Sequence, residues 1–118
     1  MIREEQTFVA WTDGALTGVM VLLFRDPRWP NGDDGKACYV HHLATAPDQP
    51  GLGKAMLAYA EDFTRRQGKP FLRLDSQKVN DALSRYYEAL GYLSAGECVD
   101  GAYVGILREK PLLPSSQL

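Results

Sequence analysis

Residues 45–55 read Thr-Ala-Pro-Asp-Gln-Pro-Gly-Leu-Gly-Lys-Ala, a polar turn with two glycines that leads straight into an apolar periodic segment. Glycine at 51 and 53 lets backbone N–H groups point toward one spot, and a helix starting there adds about half a positive charge. A phosphate or diphosphate is the natural guest. Two other glycine loops do not fit. The NTPase loop needs glycine at 48, which is Asp48, and the dinucleotide fingerprint needs it at 56, which is Met56. The same residues also make an ordinary helix start with glycines serving only the turn, and on this segment alone both readings stand.

Few other side chains offer chemistry. Cys38 and Cys98 are too few for a disulfide framework and match no zinc spacing, so both are expected as buried thiols, with no metal site. With 13 basic and 15 acidic residues in 118, net charge −2, the chain has no global basic field for nucleic acid. No stretch approaches the roughly 18 apolar residues of a membrane span, and the N-terminus lacks the apolar run of a secretory signal. A cytoplasmic protein without membrane or nucleic-acid partners is expected. The length suits one domain, placed at residues 1–110, and the Pro/Ser-containing segment 111–118 is expected to be a disordered tail.

The elements that must position the glycine turn follow from periodicity. Residues 7–11 and 15–24 flank Asp13-Gly14 and read as a hairpin. Residues 25–36 collect prolines, glycines and aspartates, a loop expected to be mobile. Residues 37–45 form a strand, apolar on both faces at its start, as a central strand is. Leu52, Ala55, Met56, Tyr59 and Phe63 fall on one helical stripe that ends at Gly68-Lys69-Pro70. Residues 71–75 are a strand, 81–90 a helix stopped by Gly91, and 93–99 with 102–107 a closing hairpin across Asp100-Gly101. The fold class is α+β, a mixed and mostly antiparallel sheet with a central parallel strand-helix-strand unit and two main helices.

Four segments taken together carry more than any one. They are Tyr39-Val40-His41-His42-Leu43-Ala44-Thr45, Gln49-Pro50-Gly51-Leu52-Gly53-Lys54-Ala55, Leu72-Arg73-Leu74-Asp75, and Asn80 followed by Tyr86-Tyr87-Glu88-Ala89-Leu90-Gly91-Tyr92. In this order they resemble the GNAT superfamily of acyl-CoA-dependent N-acetyltransferases over roughly residues 7 to 109. The chain opens at what resembles the family's second strand, without the first strand and the two helices that wall the acceptor site. Its glycine loop is one residue shorter than usual, and Pro50 removes an N–H donor. The exposed sheet edge that this implies favours a homodimer.

The resemblance implies an acetyl transfer from acetyl-CoA to a small-molecule primary amine by direct attack in a ternary complex. It implies that residues 37–45 and 71–75 splay apart to admit the pantetheine arm, with Leu43, Ala44 and Thr45 offering backbone groups. It implies that Gln49, Pro50, Gly51, Leu52, Gly53, Lys54 and Ala55 cradle the diphosphate, that Asn80 bonds the cofactor arm, and that Lys54, Arg65, Arg66 and Lys69 are candidate phosphate partners. Tyr87 matches the tyrosine acid that protonates the departing thiolate, a role suited to a phenol with a pKa near 10; its place on the apolar stripe also suits plain packing. Tyr86 points about 100° away and is expected to pack or to face the acceptor. Where the family often has a glutamate base, this chain has His41 and His42, expected on opposite faces of the strand so that at most one faces the acyl group, His41 aligning better. The oxyanion would be held by an N–H near Leu43. The alternative is a non-catalytic acyl-CoA-binding module of the same fold.

Overall fold

The computed structural model describes residues 5–113. The chain runs β1 (Glu5–Thr12), β2 (Ala15–Leu23), β3 (Ala37–Thr45), α1 (Leu52–Arg66), β4 (Phe71–Gln77), α2 (Asp81–Ala89), β5 (Leu93–Asp100) and β6 (Tyr103–Pro111). Every expected element is present. The strands form one six-stranded sheet in the order β1-β2-β3-β4-β6-β5, antiparallel except for the β3–β4 pair joined across α1. Pairing with β4 carries β6 through Pro111, and Leu112 N–H bonds the Pro70 carbonyl at 2.8 Å, so ordered chain extends into the segment expected as tail; 114–118 lie outside the described residues. Among the described residues, no helix is long and apolar enough to cross a membrane.

Both helices cover the same face. Met20, Leu22, Val40, Leu72 and Leu74 from the strands meet Met56, Leu57 and Ala60 of α1, with Tyr92 beneath α2. Strand alternation, with side chains changing face at every residue, sends Ala37, Tyr39, Arg73 and Leu107 to the other side. That side has no helix. It is roofed by the loop at 25–36, which brings Trp29 edge-on to Tyr39 at 5.9 Å between ring centroids. Buried Arg73 sits at the middle of this layer, its guanidinium 5.0 Å from the Trp29 ring centre and paired with Asp34 at 3.3 Å and Glu109 at 3.4 Å.

The loop read from its glycines and prolines as loose chain is closed by its own backbone. Asp26 N–H donates to the Gly32 carbonyl at 2.9 Å, Trp29 N–H to the Asp26 carbonyl at 3.2 Å, and Gly32 N–H to the Trp29 carbonyl at 3.2 Å. Gly32 is required by space, because a Cβ there would fall 1.7 Å from the Asp26 carbonyl oxygen. The other edge of the sheet, β1, leaves Trp11 65% exposed and Val9 half exposed, and this is the edge on which the homodimer expectation rests.

Two outcomes follow. Gly32→Ala should open the loop and lower stability by about 2 kcal/mol, near the upper range of ordinary single substitutions, read as a fall in thermal midpoint; an unchanged midpoint refutes the closure. Burial raises the carboxyl pKa of Asp34, but the Lys36 N–H and Arg73 outweigh it, and Asp26 is likewise held below the ordinary carboxylate range. Each therefore stabilises the fold above its unfolded pKa near 4, and that contribution is lost as pH falls through the lower folded value. Urea midpoints from pH 7 to pH 2 should decline on the acid side, and Asp34→Asn should flatten part of the slope.

Candidate functional site

The sheet is interrupted at its centre. β3 and β4 pair only at Ala37–Phe71, Cys38–Leu72 and Tyr39–Arg73, although β3 continues to Thr45 and β4 to Gln77. Beyond that point β3 remains bonded to β2 and β4 to β6, so the two central strands are held from outside and part from each other. This is the splay that the resemblance implies. An interior strand bonds on both sides; here the inner side is an open edge able to take an extended chain.

The parted end of β3 leads, through residues 46–51, to the start of α1. Gly51 adopts φ +82° as the helix cap, no side chain caps the helix, and no acidic residue lies in the first turn. Leu52 N–H bonds the Gln49 carbonyl and Ala55 N–H the Gly51 carbonyl, while the N–H groups of Gly51, Gly53 and Lys54 have no partner among the described residues. A Cβ on Gly51 would meet nothing within 4 Å, and on Gly53 only the Tyr86 hydroxyl, 3.8 Å away. The expected seat at residues 49–55 is therefore unblocked, with three free donors and the positive end of the helix dipole. The hydroxyl of Tyr86 thus lies on the glycine-loop side, where it had been expected to pack or to face the acceptor. Lys54 is the one named cation at this end. Arg65 and Arg66 lie in the last turn of this 15-residue helix and Lys69 just beyond it, about 16 Å or more along the axis from Lys54; there Arg65 bonds the Leu113 carbonyl, Arg66 pairs with Asp62 and Lys69 bonds the Gly35 carbonyl. They are not placed to share one anion with Lys54.

A bulge shapes the end of β3. Val21 faces His41 and Val19 faces Ala44, so two residues, His42 and Leu43, oppose the single Met20. His42 takes up the extra length at φ +52°, a left-handed conformation that costs a non-glycine residue about 1 kcal/mol or more and that is found preferentially at functional sites. Leu43 then returns to the core, and Ala44 and Thr45 are exposed. The bulge also corrects the expectation that the two histidines face opposite ways. Their ring centroids are 6.1 Å apart, because the turned backbone swings His42 toward the side of His41.

α2 brings the tyrosines to the parted strands. Asn80 spends its side-chain oxygen as the helix cap, accepting from Leu83 N–H at 3.0 Å, which leaves only its amide N–H₂ for any ligand. Tyr87 packs edge-on against Tyr92, whose hydroxyl donates to Glu61 of α1 at 2.8 Å. Buried Arg108 fastens this end of α2 to the sheet, donating to Ser76 and to the Tyr92 carbonyl, each at 3.1 Å, beside Glu88. The Tyr87 hydroxyl has no hydrogen-bond partner among the described residues, and burial, with Tyr86 and Asp75 adding to it, raises its pKa. It is held firmly protonated and free to donate.

On the helix-free face, the first same-face positions past the last β3–β4 pair are His41 and Asp75. His41 Nε2 lies 2.6 Å from Asp26 Oδ2, and Asp26 is 3% exposed. Burial raises the Asp26 carboxyl, but the hydrogen bonds from His41 and the Arg28 N–H outweigh it and keep it ionised at neutral pH. The Asp75 carboxylate accepts from the Tyr103 hydroxyl at 2.6 Å and from Arg28 at 3.2 Å, and Arg28 also reaches Asp100 at 3.0 Å. The donor atoms of Asp26, His41 and Asp75 lie within 4.8 Å of one another, and Arg28 supplies the positive charge beside them. Sequence reading missed Asp26, Arg28, Asp75 and Tyr103. A usable signal was the i, i+2 repeat Tyr39-x-His41 beside Arg73-x-Asp75 on parallel strands; for Asp26, inside a Pro/Gly-rich loop, there was none. Cys38 and Cys98 are free and buried, as expected, and burial raises both thiols.

The comparisons agree with this geometry. The uncharacterized N-acetyltransferase YesJ of Bacillus subtilis is 32% identical over 87% of this chain, which spans 61% of that protein's length. Nourseothricin acetyltransferase superposes with a TM-score of 0.74 at 22% identity, covering 93% of this chain and 66% of that one. A Bacillus subtilis acetyltransferase solved in complex with CoA gives 0.73 at 15% identity, covering 93% and 78%. Residues 1–92 match the acetyltransferase (GNAT) family. With the parted central strands, the open helix start and this match over most of its length, the chain belongs to the GNAT acetyltransferase family.

Proposed function

We propose that this protein transfers an acetyl group from acetyl-CoA to a primary amine by direct attack. The observation that carries the reading is the parting of β3 from β4 after Tyr39 and Arg73, which opens onto the unoccupied donors of Gly51, Gly53 and Lys54. A linear arm lying along the inner edge of β3 would bond backbone groups of Leu43, Ala44 and Thr45. Its diphosphate would rest on the α1 N-terminus across residues 49–55, with the Asn80 amide N–H₂ near the arm. The thioester supplies an activated acyl carbon; everything else is positioning and proton transfer by this chain. An N–H near Leu43, just after the bulge, would hold the oxyanion.

The acid in this reading is Tyr87, whose hydroxyl is protonated and free of protein partners. The base is His41 rather than His42, because His41 stands at the mouth of the parting with its Nε2 already held by Asp26. Buried thiols with raised pKa values make poor nucleophiles, which supports direct transfer over an acyl-cysteine.

Tyr87→Phe should lower kcat roughly a hundredfold, the usual scale for one general acid, while calorimetry gives unchanged acetyl-CoA affinity; unchanged kcat removes Tyr87 from the reaction. Lys54→Glu makes a sharper test of the diphosphate seat, since a carboxylate at a helix N-terminus stabilises the helix but repels a phosphate. CoA affinity should fall about tenfold while the thermal midpoint holds or rises, and unaltered affinity would refute the seat. Binding of acetyl-CoA without thiol release across a panel of amines would instead favour the non-catalytic module.

A further inference from the structure

Asp26 is fixed from more directions than a loop carboxylate needs. Its N–H and carbonyl close the loop with Gly32 and Trp29, and its Oδ1 accepts the Arg28 N–H at 2.9 Å. Only Oδ2 is left, and it faces His41 Nε2 at 2.6 Å. An ionised carboxylate has no proton to give, so Nε2 must carry the shared hydrogen. The neutral ring then keeps its lone pair on Nδ1, which has no partner among the described residues.

The groups around this ring single out the same atom. From the loop come Asp26 and Arg28; from β4 comes Asp75, occupied by Arg28 and Tyr103 of β6; from its own strand comes His42, 6.1 Å away between ring centres. Asp75 is already engaged by the Arg28 guanidinium and the Tyr103 hydroxyl. His41 Nδ1 is thus an uncommitted basic atom at the mouth of the parted strands, and among the described residues its ring, unlike that of His42, is fixed by a carboxylate.

We infer that Asp26 is the positioning residue of an Asp26–His41 pair in which His41 Nδ1 is the base that deprotonates the amine acceptor. This rests on the proposed acetyl transfer. One proton of the acceptor ammonium goes to Nδ1, leaving the nitrogen lone pair free to attack the thioester carbonyl; a C–N bond forms and the C–S bond breaks. The resulting imidazolium is balanced by Asp26, which stays ionised, and later gives its proton to water. The thiolate takes the Tyr87 proton, and a second proton from the former ammonium nitrogen restores the phenol. The sum is ammonium and thioester to amide, thiol and one released proton.

Two measurements on the full chain test this separately. Long-range ¹H–¹⁵N correlation spectra of the unliganded protein near neutral pH should show His41 protonated at Nε2 and bare at Nδ1; the opposite tautomer overturns the pairing whether or not any reaction is found. In turnover, Asp26→Asn should lower kcat roughly a hundredfold or more, because the amide can offer N–H to Nε2 and reverse the tautomer. Acetyl-CoA affinity should be unchanged, which a disrupted fold would not give. Asp26→Glu should recover part of the rate. An Asp26→Asn enzyme with wild-type kcat overturns the proposal. Absence of acetyl transfer by the wild type to any amine would instead refute the proposed reaction, with the tautomer still deciding the pairing.

Discussion

Two neighbouring parallel strands that stop bonding to each other while both continue are the constraint around which this molecule is organised. Leaving backbone N–H and C=O groups of a sheet interior unpaired costs about 1–3 kcal/mol for each group kept from water. Here the cost is confined to one seam, because β2 and β6 hold β3 and β4 along their outer sides. The bulge at His42 belongs to the same design. It adds a residue to β3 at the point where the strand bends away, and it accepts a strained φ to do so.

The seam has two different sides. Toward the helices, Leu43, Tyr87, Tyr92 and the core leucines give an apolar wall in which a phenol is kept protonated by burial. Toward the loop lie Asp26, His41, Asp75, Arg28 and Tyr103, a hydrogen-bonded polar layer in which Arg28 pairs with Asp75 and Asp26 holds His41. Strand alternation generates this division without further cost, since every step along β3 or β4 changes face.

Much of this was legible before any fold was considered. The order of elements follows from period changes and turn residues, and the β3 and α1 starts fall where residues 37 and 52 place them. The uncapped helix start could be read because its information is local: two glycines, the absence of a first-turn acid, and a helix stripe beginning at Leu52. The places of Asn80 at the start of α2 and of Tyr87 on its apolar stripe could be read for the same reason, through spacing along one short helix. Misreadings arose where local rules were applied past their range. Regular alternation put His41 and His42 on opposite faces, which a bulge undoes, and a tally of cations along α1 ignored that the helix is long enough to separate them.

The sequence by itself therefore determined the elements, their order and the glycine-flanked helix start, because hydrophobic period, turn chemistry and capping act over a few residues. Only the tertiary structure decided the partnership of Asp26 with His41, the matching of Asp75 by Arg28 and Tyr103, and the placement of Arg108 beneath α2. These pairs join residues 15, 47, 28 and 32 positions apart. No short-range periodicity encodes them, because what brings them together is strand pairing, one bulge and a loop folded over the helix-free face of the sheet.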